Sequence, residues 1–170
     1  LLIRPGCEEF LEELSKYYEI VVFTAAIQEV FYYNLDADVI LDGLDPQNKF
    51  IKYRLYRQHT SLNKGTYYKD IKLTQDISKI GRDLSRTIII DNVWENFQLQ
   101  PDNAIFIKTW KGEEDSSLTD LIPFLKEIVK RKVKDIRKVF KNFRDTLIRL
   151  FIKGDPNPYE TIKKSFIEQS

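Results

Sequence analysis

The amino-acid sequence predicts an α/β fold, a mostly parallel sheet with helices on both faces and a long C-terminal helix. Three short apolar runs point to it: Glu19 to Thr24, Thr87 to Asn92 and Asn103 to Ile107. Each is continuous rather than alternating, the pattern of a strand buried on both faces. Helical stretches alternate with these runs, as a layered α/β sheet requires.

Along the chain, Arg4-Pro5-Gly6 reads as a turn, and Glu8 to Tyr18 places Phe10, Leu11, Leu14 and Tyr17 at helical spacing. The first strand then ends at Thr24 and the second at Asp91-Asn92, while Gln100-Pro101-Asp102 turns the chain into the third. Sheets of this kind bind ligands beyond the carboxyl ends of their strands. Thr24 and Asp91-Asn92 are therefore the first candidates for a site. Residues 118–153 carry one amphipathic pattern through Leu121, Leu125, Ile128, Val133, Ile136, Phe140, Phe143, Leu147 and Phe151. Pro123 is tolerable in its first turn, with Ser117 or Thr119 as cap, and Gly154-Asp155-Pro156-Asn157-Pro158 ends it.

The 170 residues suit one domain with a proper core, and 42% hydrophobic against 31% charged residues describes a globular chain. No run reaches the roughly 18 apolar residues that span a bilayer, so no transmembrane segment is expected. The formal charge of +1 hides an asymmetry: residues 1–119 carry a net −5 and residues 120–153 a net +7. A basic run of this sort reads first as a solvated helix face, and nucleic acid is not the expected partner. The apolar stripe beside it continues past the length that covers one sheet face, which points to a protein partner through the C-terminal helix. Cys7 is the single cysteine and His59 the single histidine. That supply is too small for an internal disulfide or a zinc site.

Taken alone, each candidate has a structural reading. An aspartate such as Asp91 after a strand caps or turns the chain more often than it binds metal. Thr24 reads as an N-cap, and Lys69, between two tyrosines and Asp70, as a surface lysine in an ion pair. Order and spacing add something further. Ile3-Arg4-Pro5-Gly6, Phe23-Thr24-Ala25-Ala26, Tyr53-Arg54-Leu55-Tyr56-Arg57, Tyr68-Lys69-Asp70-Ile71, Gly81-Arg82-Asp83-Leu84-Ser85, Ile88-Ile89-Ile90-Asp91-Asn92 and Pro101-Asp102-Asn103 follow in series, with Trp110 after them. This series resembles the small phosphatases that act on the C-terminal domain of RNA polymerase, the NLI-interacting-factor-like branch of the haloacid-dehalogenase superfamily. The resemblance runs from about Leu2 to Ile128.

It implies a haloacid-dehalogenase-like fold and a protein serine/threonine phosphatase working with Mg²⁺ through an aspartyl-phosphate. Thr24 would hydrogen-bond a phosphoryl oxygen, and Lys69 would neutralise the phosphate, a point-charge task suited to lysine. Asp91 would be a hard oxygen ligand to Mg²⁺, with Asn92 orienting it or the phosphate. Ile27 and Arg57 match positions used around the phosphopeptide substrate. The family's first motif, Asp-x-Asp-x-Thr/Val, does not occur in the chain and is expected upstream of Leu1. On this reading residues 1–128 are a phosphatase domain without its nucleophile strand, and residues 129–170 a basic helical extension. Two other departures are Val93-Trp94 in place of the usual Ser-Pro, and the extra stretch Val30 to Leu35.

The expectation drawn from this is an active, nuclear or cytoplasmic phosphatase. The alternative is a non-catalytic relative that keeps the fold for binding, such as a mitochondrial presequence-translocase receptor subunit or a structural component of a larger assembly. Asp91-Asn92 and Phe23-Thr24-Ala25 favour the enzyme on sequence grounds.

Overall fold

The computed structural model describes residues 3–24, 37–56, 59, 61–64, 71–74, 76–156 and 161–162. Helix α1 (Cys7–Leu14) starts where the sequence places it, with Glu8 and Glu9 in its first turn, where the helix dipole favours acids. Its entry depends on Gly6, at φ +74°, because a Cβ there would lie 2.5 Å from Thr119 Cγ2. Leu11 and Leu14 are its buried contacts. Burial pushes the Cys7 thiol up from its ordinary value, with Glu8 adding to the effect, which suits a half-buried packing residue rather than a nucleophile.

Strand β1 (Ile20–Phe23) pairs in parallel with β2 (Ile51–Leu55). Between them stands α2 (Ala37–Leu44), a helix the sequence reading did not assign. The loop from α2 to β2 is organised by Asp45, 1% exposed, whose carboxylate accepts the N–H groups of Lys49, Phe50 and Ile51 at 2.8, 2.9 and 2.8 Å. Burial alone would push this carboxyl up, but the three backbone donors outweigh it and hold it below the ordinary range. Arg54 on β2 reaches Asp38 and Asp42 at 3.0 and 2.7 Å and so ties the strand to α2.

Strands β3 (Ser61–Lys64) and β4 (Ile71–Thr74) form an antiparallel pair. Then β5 (Ile89–Asp91) pairs in parallel with β6 (Ala104–Phe106), joined through the short α3 (Trp94–Phe97). The turn into β6 is locked by Asn103, 2% exposed, whose Nδ2 donates to the carbonyls of Leu84 and Thr87 at 2.6 and 2.7 Å. The Gly81–Ser85 and Pro101–Asn103 motifs thus hold each other.

Side chains alternate across the parallel strands as period two demands. Ile20, Ile88, Ile90 and Ile105 pack against Leu14 of α1 and against Ile122 and Leu125 of α4 (Ser117–Lys130), so both parallel pairs lie under one helical layer. On the other face Ile89 and Ala104 meet Ile77, Ile80, Leu84 and Phe97. This is the α/β architecture with parallel strands and a C-terminal helix that the sequence predicts.

The amphipathic pattern of residues 118–153 is delivered as two helices, α4 and α5 (Ile136–Ile152). Lys132 takes φ +51° in the link, and left-handed backbone stops a helix. The chain turns there, and α5 folds back along the domain. Ile136 and Phe140 are 2% and 6% exposed, and the Phe140 ring stacks on Phe124 at 6.2 Å. Arg144 bonds Asp102 and the Pro101 carbonyl. Part of the stripe expected to meet a partner is therefore covered by the domain itself. No helix among the described residues is long and apolar enough to cross a membrane.

Candidate functional site

Thr24 and Asp91-Asn92 sit at the carboxyl ends of β1 and β5, where the strand pattern places them. The Thr24 N–H donates to the Leu55 carbonyl at 2.9 Å, which extends the β1–β2 pairing by one bond. Lys69, Ile27 and Arg57 lie outside the described residues.

Asp91 is built into a turn. Its Oδ1 accepts the Val93 N–H at 2.7 Å, its Oδ2 accepts from Asn96 Nδ2 at 3.0 Å, and its carbonyl accepts the Ile107 N–H at 3.0 Å. The carboxylate thereby fixes the step from β5 into α3. Asn92, exposed, donates its amide N–H to Thr109 Oγ1 at 3.0 Å. Mg²⁺ demands near-octahedral oxygen coordination, usually with one or two carboxylates and several waters. The described residues offer one carboxylate here, already hydrogen-bonded at both oxygens. They contain no group of three or more His, Cys, Asp or Glu able to hold a metal. No step through magnesium follows from this arrangement.

What the geometry does form is a cleft of about 510 Å³ on the β1–β2 face turned away from α1. Val21, Phe23, Tyr53, Leu55 and Ile80 supply an apolar floor, and Glu19, His59, Asp76, Lys79 and Arg82 a charged rim. The rim is internally paired. Arg82 Nε bonds Glu19 at 2.8 Å, and its guanidinium lies 5.8 Å from the Tyr53 ring centroid. Asp76 accepts from Ser78 and from Gln100 Nε2, which hold its carboxyl below the ordinary range against a smaller push upward from burial. His59 Nδ1 accepts the Tyr56 N–H at 2.9 Å. The floor is apolar, and ion pairs set the margins.

The sequence gives none of these cleft residues a binding role, although Phe23, Tyr53, Leu55 and Arg82 fall within its motifs. Their signal lay in alternation, since Glu19, Val21 and Phe23 share one face of β1, and Tyr53 and Leu55 one face of β2. Which face would be left open depends on packing.

Comparison with known proteins bears on this geometry. The sequence model of the NLI interacting factor-like phosphatase family matches residues 1–137. Among curated proteins the chain is 41% identical over 142 residues to mitochondrial import inner membrane translocase subunit TIM50 of Kluyveromyces lactis, covering 84% of this chain and 27% of that protein. The subunit of the same name from Aspergillus fumigatus is 38% identical over 168 residues, 98% of this chain and 31% of that protein. The Neurospora crassa subunit is 42% identical over 141 residues, 82% of this chain and 24% of that protein. The chain thus spans about a third or less of these relatives. Two solved structures of the RNA polymerase II CTD phosphatase Fcp1 are also similar. One is 19% identical, covers 92% of this chain and 40% of that chain, and has a TM-score of 0.47. The other, the fission yeast R271A form with beryllium fluoride, is 15% identical, covers 91% and 51%, and has a TM-score of 0.48.

These relatives overturn one expectation. The chain read as an active phosphoprotein phosphatase has close relatives named as a translocase subunit, which points to a non-catalytic phosphatase-like protein.

Proposed function

We propose that this chain, which belongs to the NLI interacting factor-like phosphatase family, is the phosphatase-fold part of a protein-binding subunit of a mitochondrial import translocase. The observation that carries this reading is the shared name of relatives 38–42% identical over 82–98% of the chain. The same names support a mitochondrial compartment over the nuclear or cytoplasmic expectation. The ligand is a peptide segment of a protein in transit, held by its apolar side chains. The cleft on β1 and β2 is the surface suited to it, with Phe23, Tyr53 and Leu55 as floor.

Dye-labelled amphipathic targeting peptide, titrated with the purified chain and read by fluorescence anisotropy, tests this. The wild type gives saturable binding. Tyr53→Glu, at a position 53% exposed and thus tolerant of a polar side chain, weakens it about tenfold, the equivalent of ~1.4 kcal/mol. Absence of binding, or equal binding by the variant, defeats the assignment of the cleft.

A further inference from the structure

Helix α5 has two faces with different work. Ile136, Phe140 and Arg144 hold it to the domain. The opposite stripe is exposed and consists of Lys138, Lys141, Asn142, Asp145, Ile148, Arg149 and Ile152. These positions recur at three- and four-residue steps and lie within one arc of the helix. Lys134 in the preceding link and Lys153 at the C-terminal end, both exposed, extend the stripe.

Two observations set this stripe apart from an ordinary solvated face. First, Ile148 and Ile152 are 50% and 82% exposed, one turn apart, among the cations. Second, the cations in the amino-terminal half of α5 are not placed for helix stability, although the Asp135 cap and Arg149 in the last turn are. The first turn of α5 contains no acid, while Arg137, Lys138 and Lys141 occupy its amino-terminal half. Cations there oppose the helix dipole, at a cost of about 0.3–1 kcal/mol each when near the terminus. Asp135, the capping carboxylate, is bound by Arg137 at 2.8 Å. Among the described residues, Lys134, Lys138, Lys141, Arg149 and Lys153 form no ion pair. Lys138 lies in the field of Asp135, and Lys141 and Arg149 stand four residues from Asp145, whereas residues 1–119, with a net −5, form no ion pair to any of them among the described residues.

We infer that the outward stripe of α5 is a docking surface for an acidic, amphipathic segment of a partner protein. Carboxylates at helical spacing would meet the row of cations, and an aliphatic pair would cover Ile148 and Ile152. Charge complementarity selects an anionic partner, and the isoleucines select a protein over nucleic acid, whose backbone offers phosphate and sugar. A bilayer surface is the poorer fit. Interfacial helices present a whole apolar face to lipid, whereas that face of α5 is turned into the domain. The inference rests on the reading of the chain as a subunit. It is separable from the cleft, which takes a different peptide.

The test uses the full 170-residue chain and a labelled helical peptide of about twenty residues, with glutamates on its polar face and leucines at i, i+3, i+4 and i+7. Anisotropy is measured for the wild type, Lys138→Glu/Lys141→Glu and Ile148→Ser/Ile152→Ser, with phosphatidylglycerol vesicles and duplex DNA as competitors. The expected result is saturable binding, weakened at least about tenfold by each double substitution, with unchanged circular dichroism and with targeting-peptide binding at the cleft intact. The inference is overturned if the acidic peptide does not bind, or if the serine pair binds as well as the wild type. It is also overturned if vesicles or DNA bind more tightly than the peptide at equal salt.

Discussion

Arg4 and Asp115, 111 residues apart, form a two-pronged ion pair, Nε to Oδ1 at 3.0 Å and Nη2 to Oδ2 at 2.9 Å. The pair joins the turn before α1 to the loop before α4, and both side chains are largely covered. Forked pairs of this geometry are the strong kind. The Arg4 guanidinium and the Ser117 N–H hold the Asp115 carboxyl at about 2, well below its ordinary 3.8. A carboxyl lowered on folding adds stability that is complete above the unfolded value and is lost as pH falls through the folded value. Arg4→Gln should therefore lower the urea midpoint at neutral pH. The gap between variant and wild type should close as pH drops from about 4 towards 2, and a gap independent of pH would assign the loss to packing instead.

Gly6→Ala should destabilise the same corner for two separable reasons. Left-handed backbone costs a residue with a Cβ about 1–2 kcal/mol, and the clash with Thr119 Cγ2 adds overpacking of roughly 1–3 kcal/mol. Thr119→Ser in the Gly6→Ala background removes the methyl group at fault. Thermal melts should recover the second contribution and leave the first.

Asp45→Ala should be among the most damaging single changes, since it strands three backbone N–H groups at a nearly inaccessible site. Each unsatisfied donor costs about 1–3 kcal/mol. Urea unfolding should show a loss of at least ~3 kcal/mol for alanine and a smaller one for Asp45→Asn, which retains one acceptor.

For Asp91 the turn predicts a stability effect. Asp91→Ala should cost about 1–2 kcal/mol through the lost Val93 and Asn96 bonds. Asp91→Asn should cost less, because its Oδ1 can still accept the Val93 N–H. Millimolar magnesium should leave the melting temperature of the wild type unchanged. A clear rise with magnesium that Asp91→Asn abolishes would restore the residue as a metal ligand.

Much of the fold was legible because it rests on local pattern. The run from Thr87 to Asp91 is apolar enough to be a buried strand in any context, and Arg4-Pro5-Gly6 marks its turn by composition. Helix α2 was missed, although Ala37 and Leu41 are spaced for one buried face and Asp45-Pro46 gives it a stop. The return of α5 was not legible, since the Phe124–Phe140 contact depends on how Lys132 bends the link. At the site, sequence placed Thr24 and Asp91 at strand ends. That Asp91 closes a turn rests on its distances to Val93 and Asn96, which no motif encodes. The family resemblance held. The activity inferred from it did not, because one fold serves both catalysts and binding proteins.

The central claim is that this phosphatase fold serves protein import. Its most direct test is the rate at which mitochondria take up a radiolabelled, matrix-targeted precursor after the gene for this chain is silenced. Import should fall several-fold and return on re-expression of the wild type, with a smaller recovery from Tyr53→Glu. Unchanged import after complete loss of the protein would contradict the account.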